Sequence, residues 1–92
     1  MLIIESKRFT DELNSICDFI AKDSINRAIT FQQELKSKLE NIAFMPYINR
    51  KSIKFNDENI RDFIFKGYVI PYLIDDDKIV ILGIYKHNLW SK

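Results

Sequence analysis

The stretch from Ile60 to Trp90 reads IRDFIFKGYVIPYLIDDDKIVILGIYKHNLW and makes up about a third of the 92 residues. It has the composition of three strands and two turns. Ile60 to Phe65 is apolar and β-prone, Lys66-Gly67 offers a turn with a residue free to take positive φ, and Tyr68 to Ile74 resumes a β-branched and aromatic run. Asp75-Asp76-Asp77 supplies the second turn, because aspartate tolerates left-handed backbone and hydrogen-bonds its own main chain. Lys78 to Tyr85 is the last strand, and the three form an antiparallel meander.

Side chains along a strand alternate between faces. Tyr68, Ile70, Tyr72 and Ile74 therefore share one face and Val69, Pro71 and Leu73 the other. In the last strand Ile79, Ile81 and Tyr85 fall on one side, and Val80, Leu82 and Ile84 on the other. Pro71 removes a backbone donor and marks a bulge or an unpaired spot. Both faces are apolar, whereas an antiparallel sheet covered by its own helices on one side normally leaves the other polar. Either the sheet curls into a half-barrel over a small second core, or another polypeptide lies on the far face.

Upstream, Pro46 to Asn59 is irregular and holds Ser52-Ile53-Lys54-Phe55, whose alternation suits a strand at the sheet edge, guarded by lysine against edge-to-edge aggregation. Leu2 to Ile4 is a short strand. Ser6 is placed to cap a helix whose positive end Asp11 and Glu12 would favour. Phe9, Leu13, Ile16 and Ile20 lie three or four apart on one stripe, widened by Cys17 and Phe19. Lys22-Asp23-Ser24 interrupts this helix, and Ser24 caps a second one, in which Ala28, Phe31, Leu35, Leu39 and Ile42 recur before the chain reaches Phe44-Met45-Pro46. So short a connection makes the two an antiparallel hairpin whose apolar stripes cover the sheet. The expected fold is α+β: a two-layer β-α-α-β-β-β domain, with a fourth strand in its second half if residues 52–55 join the edge, spanning residues 1–92 as one unit with the hairpin on a curved antiparallel sheet.

Hydrophobic residues at 47% and aromatics at 13% exclude disorder and call for a packed core. Two glycines and two prolines leave little room for linkers or repeats. The chain has no apolar run of membrane-spanning length and starts with no signal-peptide pattern, so a cytoplasmic protein is expected. Cys17 cannot form an internal disulfide and reads as a buried, inert thiol. A net charge of +1 argues against a nucleic-acid binder held by phosphate contacts. Away from the acidic turn, however, the second half is basic, through Arg50, Lys51, Lys54, Arg61, Lys66, Lys78, Lys86 and Lys92. That distribution suits a solvated face or a modest basic surface.

The order of elements and several residues together resemble the toxins of type II toxin-antitoxin modules, the RelE/ParE superfamily, over essentially the whole chain. The matching features are the Phe9, Leu13, Ile16, Ile20 stripe, the second helix with Ala28 and Phe31, Met45-Pro46 followed by Asn49-Arg50, and Ile60-Arg61. The strand Gly67-Tyr68-Val69-Ile70-Pro71-Tyr72, the acidic turn, and Ile79-Val80-Ile81-Leu82 leading to His87 complete them. Ile70-Pro71-Tyr72 and the late Trp90 look more like the ParE branch.

The resemblance implies a growth inhibitor neutralised by a cognate antitoxin, whose C-terminal segment folds as it binds, with a toxin-antitoxin heterotetramer among the allowed assemblies. It implies no cofactor, no metal and no membrane. Tyr68, Tyr72, Leu82, Ile84 and Tyr85 would line the antitoxin groove. A ParE-like member would inhibit DNA gyrase by binding it, with Trp90 as an aromatic anchor and Lys86, Arg50, Lys51, Lys54 and Lys66 as charged contacts. A RelE-like member would instead be an endoribonuclease that cuts mRNA on the ribosome, with Arg61 on the phosphate and His87 moving protons. Asn88 and Leu89 stand where nuclease members usually show an arginine, and their tail tyrosine is missing, which favours gyrase. A non-toxic antitoxin-binding regulatory partner is the third reading.

Overall fold

The computed structural model describes residues 1–86. Strand β1 (Leu2–Glu5) leads into helices α1 (Lys7–Asp23) and α2 (Ile25–Ile42), and then come β2 (Arg50–Lys51), β3 (Ile60–Phe65), β4 (Tyr68–Asp75), β5 (Lys78–Ile81) and β6 (Tyr85–Lys86). The sheet runs β1-β5-β4-β3-β2, and β6 pairs with β4 beyond the end of β5. The meander β3-β4-β5 is antiparallel as its sequence predicts, but β1 adds to β5 in parallel, so the sheet is mixed rather than wholly antiparallel. A parallel neighbour needs a crossover; here the whole helical hairpin and three strands lie between the two.

Local chemistry sets the element ends. The Ser6 hydroxyl accepts from the Phe9 amide at 3.1 Å, and the Ser24 hydroxyl accepts from the Arg27 amide at 3.2 Å. Ser24 also closes α1, its own amide donating to the Ile20 carbonyl, so one residue ends a helix and starts the next. Asp11 and Glu12 do not sit in the first turn; they pair one turn back, with Lys7 and Arg8. Lys66 and Gly67 both take positive φ, 49° and 84°, the signature of the tight turn whose twist matches its flanking strands.

The helices lie on one face of the sheet. Phe9, Leu13, Phe31, Leu35, Leu39 and Ile42 meet Phe65, Ile70, Tyr72, Ile74, Ile79, Ile81 and Ile84 in one buried cluster, with Phe31 edge-on to Phe65 at 5.3 Å. The face alternation predicted for β4 matches this pattern, but the prediction for the last strand changes after Ile81. Residues 82–84 leave the ladder, and the pairing shifts by one residue between Tyr72↔Ile81 and Val69↔Tyr85. The slip turns Ile84 into the core and Tyr85 to the far face beside Val69, the reverse of simple alternation. Pro71 is the cause within reach. Its carbonyl accepts from the Leu82 amide, so its missing N–H faces the same neighbour, where no ladder bond can form.

The edge strand also differs from expectation. It is Arg50–Lys51, extended by the Ser52 amide donating to the Ile60 carbonyl at 2.8 Å, whereas Ile53 to Phe55 leave the ladder and fold over the far face, because the Ile53 amide donates to the Asp62 carboxylate instead of to a strand. The far face is thus covered over Asp62, Pro71 and Val69, while Ile4, Leu73, Val80 and Ile64 stay partly open to solvent. Cys17 is half-buried rather than sealed, and burial pushes its thiol up from its usual pKa.

Candidate functional site: a groove beside α1 and a clasp at the sheet edge

Near the start of α1, where β1 ends, β6 pairs with β4 alone among the described residues. Glu12 reaches down from α1 and its Oε1 accepts the Ile84 amide at 3.0 Å, and the Ser6 hydroxyl donates to the Leu82 carbonyl at 3.1 Å. Those two side chains cap the interruption between β5 and β6. Gly83 permits it, since a Cβ there would lie 2.7 Å from Glu12 Oε1. Alongside lies a groove of about 460 Å³ lined by Ile16, Phe19, Tyr68, Ile84, Tyr85 and Lys86 with Glu12 and Ser15. Phe19 is 72% exposed, so an aromatic ring stands in water at the groove's rim. Tyr68 and Tyr85 are both pushed up in pKa, first by burial, and Lys86 sits 5.6 Å above the Tyr68 ring. The groove is therefore an apolar channel with neutral phenols and a cation at one side, suited to the apolar face of a peptide.

Three of the five residues expected in a partner groove, Tyr68, Ile84 and Tyr85, come together here. Leu82 lines a neighbouring cleft of about 250 Å³ with Phe55, Pro71, Gly83 and Tyr85. Tyr72 lines neither: it is fully buried, in the core. Phe19, assigned to the core from sequence, is the groove residue that reasoning missed. At about 100° per residue it lies roughly a quarter-turn off the centre of the Phe9, Leu13, Ile16, Ile20 stripe, and that offset was the available signal.

The second constellation gathers at the β2–β3 edge. The Tyr72 hydroxyl donates to the Pro46 carbonyl at 2.7 Å and accepts from Asn49 Nδ2 at 3.1 Å. Arg61 donates from Nε to the Glu58 carbonyl and from Nη1 to the Asn49 carbonyl, 3.1 and 3.2 Å away, and lies 4.9 Å from the Tyr47 ring centre. On the opposite face Asp62, its side chain fully buried, accepts from Arg50 at 3.4 Å and from the Ile53 amide at 3.3 Å. A lone acid between Ile60 and Ile64 on one strand face was the sequence trace of this arrangement.

The expected charged contacts are dispersed. Arg50 is paired with Asp62, Lys66 with Glu34 at 3.0 Å, and Lys54 lies 5.8 Å above the Tyr85 ring, while Lys51 is exposed on the edge strand. With β2 on β3 and β6 on β4, Arg50 and Lys51 lie across two strands from Lys86. His87 and Trp90 lie outside the described residues. Among the described residues no three His, Cys, Asp or Glu side chains gather to hold a metal ion, and no helix is long and apolar enough to cross a membrane.

A family model described as the ParE toxin of the type II toxin-antitoxin system, parDE, matches residues 3–88. Among solved structures, a chain of the chromosomal ParDE TA system from P. aeruginosa superposes with a TM-score of 0.79 at 15% identity, over 94% of this chain and 95% of that one. At that identity the likeness establishes the fold. No curated protein matches.

Proposed function

Since the chain belongs to the ParE toxin family of type II toxin-antitoxin systems, we propose that it inhibits growth by binding DNA gyrase and is neutralised by an antitoxin seated in the groove beside α1. The observation that favours binding over RNA cleavage is the state of Arg61. Its guanidinium is engaged with two backbone carbonyls and a tyrosine ring of its own chain, so the arginine that a nuclease would aim at phosphate is serving the fold. Binding a target needs no proton-transfer pair, only a surface with an anchor, and Trp90, just past the family match, is the aromatic residue we assign to that role.

The test is a pair of assays on the purified protein. Given gyrase and plasmid, it should block supercoiling or trap cleaved DNA, and Trp90→Ala should weaken that effect by about 2 kcal/mol, roughly thirtyfold, without lowering the thermal midpoint. Given programmed ribosomes, it should leave the message intact. Cleavage in the A site, lost in Arg61→Ala and His87→Ala, would overturn the gyrase reading in favour of an endoribonuclease. Inactivity in both assays with retained antitoxin binding would leave a regulatory partner.

A further inference from the structure

The chain between α2 and β3 does not simply connect them. Residues 46–49 start on the helix side of the sheet, where Pro46 and Asn49 meet the Tyr72 hydroxyl and Asn49 meets Arg61. Arg50–Lys51 pass round the edge as β2, Ile53 to Phe55 lie on the far face, and Asp57 to Asn59 return to β3. The sheet edge is thus embraced from both sides. What holds this segment is polar. Of its large apolar side chains, Tyr47, Ile48 and Ile53 are 51, 67 and 61% exposed, Phe55 is only half-buried beside Pro71 and Tyr85, and its one fully buried residue is Ser52. The clasp is also imperfect: among the described residues Ser52 Oγ and Asp62 Oδ1 are buried with no hydrogen-bond partner, and each such atom weakens the closed arrangement relative to one open to water. The segment lies against apolar groups on the far face: Phe55 shares a cleft with buried Pro71 and with Tyr85, Lys54 stands over the Tyr85 ring, and Tyr85, 6% exposed, pairs across the ladder with Val69, 1% exposed.

A segment with few buried apolar side chains, fastened by polar side chains and a two-residue ladder at the sheet edge over a dry apolar surface, belongs to the low-stability end of a fold. We propose that residues 46–59 are a strap that opens as a unit while the helix-sheet core stays folded, baring Val69, Pro71 and Tyr85 as a second apolar surface. Tyr72 and Asp62 are its positioning residues, one on each face. The proposal stands independently of the gyrase reading, because it concerns the isolated chain and neither target nor antitoxin enters its test.

That test combines amide exchange with thiol labelling on the full chain. The Ser52 and Ile53 amides, though hydrogen-bonded to Ile60 and Asp62, should exchange at least a hundredfold faster than those of Ile79 and Ile81 in β5. Tyr72→Phe and Asp62→Asn should each speed strap exchange about tenfold further, while the gap between β5 exchange and global unfolding stays unchanged. In a Cys17→Ser background, the thiol introduced by Val69→Cys should react with a soluble disulfide reagent at the strap-opening rate and accelerate with Tyr72→Phe. Should Tyr72→Phe fail to fold, Asp62→Asn carries the comparison. Strap amides that exchange as slowly as β5, or an introduced thiol that reacts only on global unfolding, would overturn the strap.

Discussion

Gly83 shows how a missing side chain can carry an interaction. The Glu12 carboxylate occupies the space that a Cβ at Gly83 would need and, from there, accepts the Ile84 amide at the break in the edge strand. The clash in Gly83→Ala falls on the end of a flexible side chain, so the carboxylate swings away instead of the backbone moving. The cost is then that of a charge-assisted hydrogen bond, about 1.5–3 kcal/mol. Glu12→Ala removes the same bond by a different route. The two substitutions should therefore be strongly non-additive: once Glu12 is alanine, Gly83→Ala should cost less than about 0.5 kcal/mol. Urea midpoints of the four members of the cycle measure this, and simple additivity would show that Gly83 matters for its backbone alone.

At the scale of elements, the two helix caps have different reach. Ser24 serves only the junction of α1 and α2, and its hydroxyl bond is exposed. Ser6 accepts from the Phe9 amide and also donates to the Leu82 carbonyl, so it fastens the start of α1 to the bulge beside β5. Both replacements by alanine lie within the usual range for a lost cap; Ser6→Ala should fall near its top, about 2 kcal/mol, and Ser24→Ala nearer 1 kcal/mol, as read from chemical denaturation. Equal losses would mean that the tie to the sheet contributes nothing. Both serines, both helices and all three meander strands were readable from the sequence, since each rests on a local pattern: a capping hydroxyl, a three-to-four spacing, a turn dipeptide. The bulge was half-readable. Pro71 told that a donor was missing, but which neighbour would slip, and that Ile84 and Tyr85 would exchange faces, depends on pairing across the sheet. The parallel placement of β1 was likewise set by long-range packing, which a strand as short as Leu2–Glu5 does not encode alone.

For the molecule as a whole, the doubly apolar meander raised two alternatives, a sheet that seals its own far face and a face left for another chain, and the fold divides that face between them. The strap covers the part around Asp62 and Val69, and the row of Ile4, Leu73 and Val80 stays partly open. The groove beside α1 is the rival docking surface; its strand side, Tyr68, Ile84 and Tyr85, was expected from the sequence, but its helix side, with Phe19, could not be found from strand patterns. These surfaces can be told apart by charge. Phe19, 72% exposed, and Ile4, 38% exposed, lose little on substitution in the isolated chain, so Phe19→Asp and Ile4→Asp should each leave the thermal midpoint within a few degrees. Desolvating a carboxylate against an apolar partner is costly wherever the interface lies. If the antitoxin fills the groove as proposed, Phe19→Asp should weaken its binding tenfold or more, about 1.4 kcal/mol, and Ile4→Asp should change it less than twofold, both read by calorimetric titration with the antitoxin's C-terminal segment. The reverse ranking would move the partner to the far face, with the strap, and not Phe19, at its border.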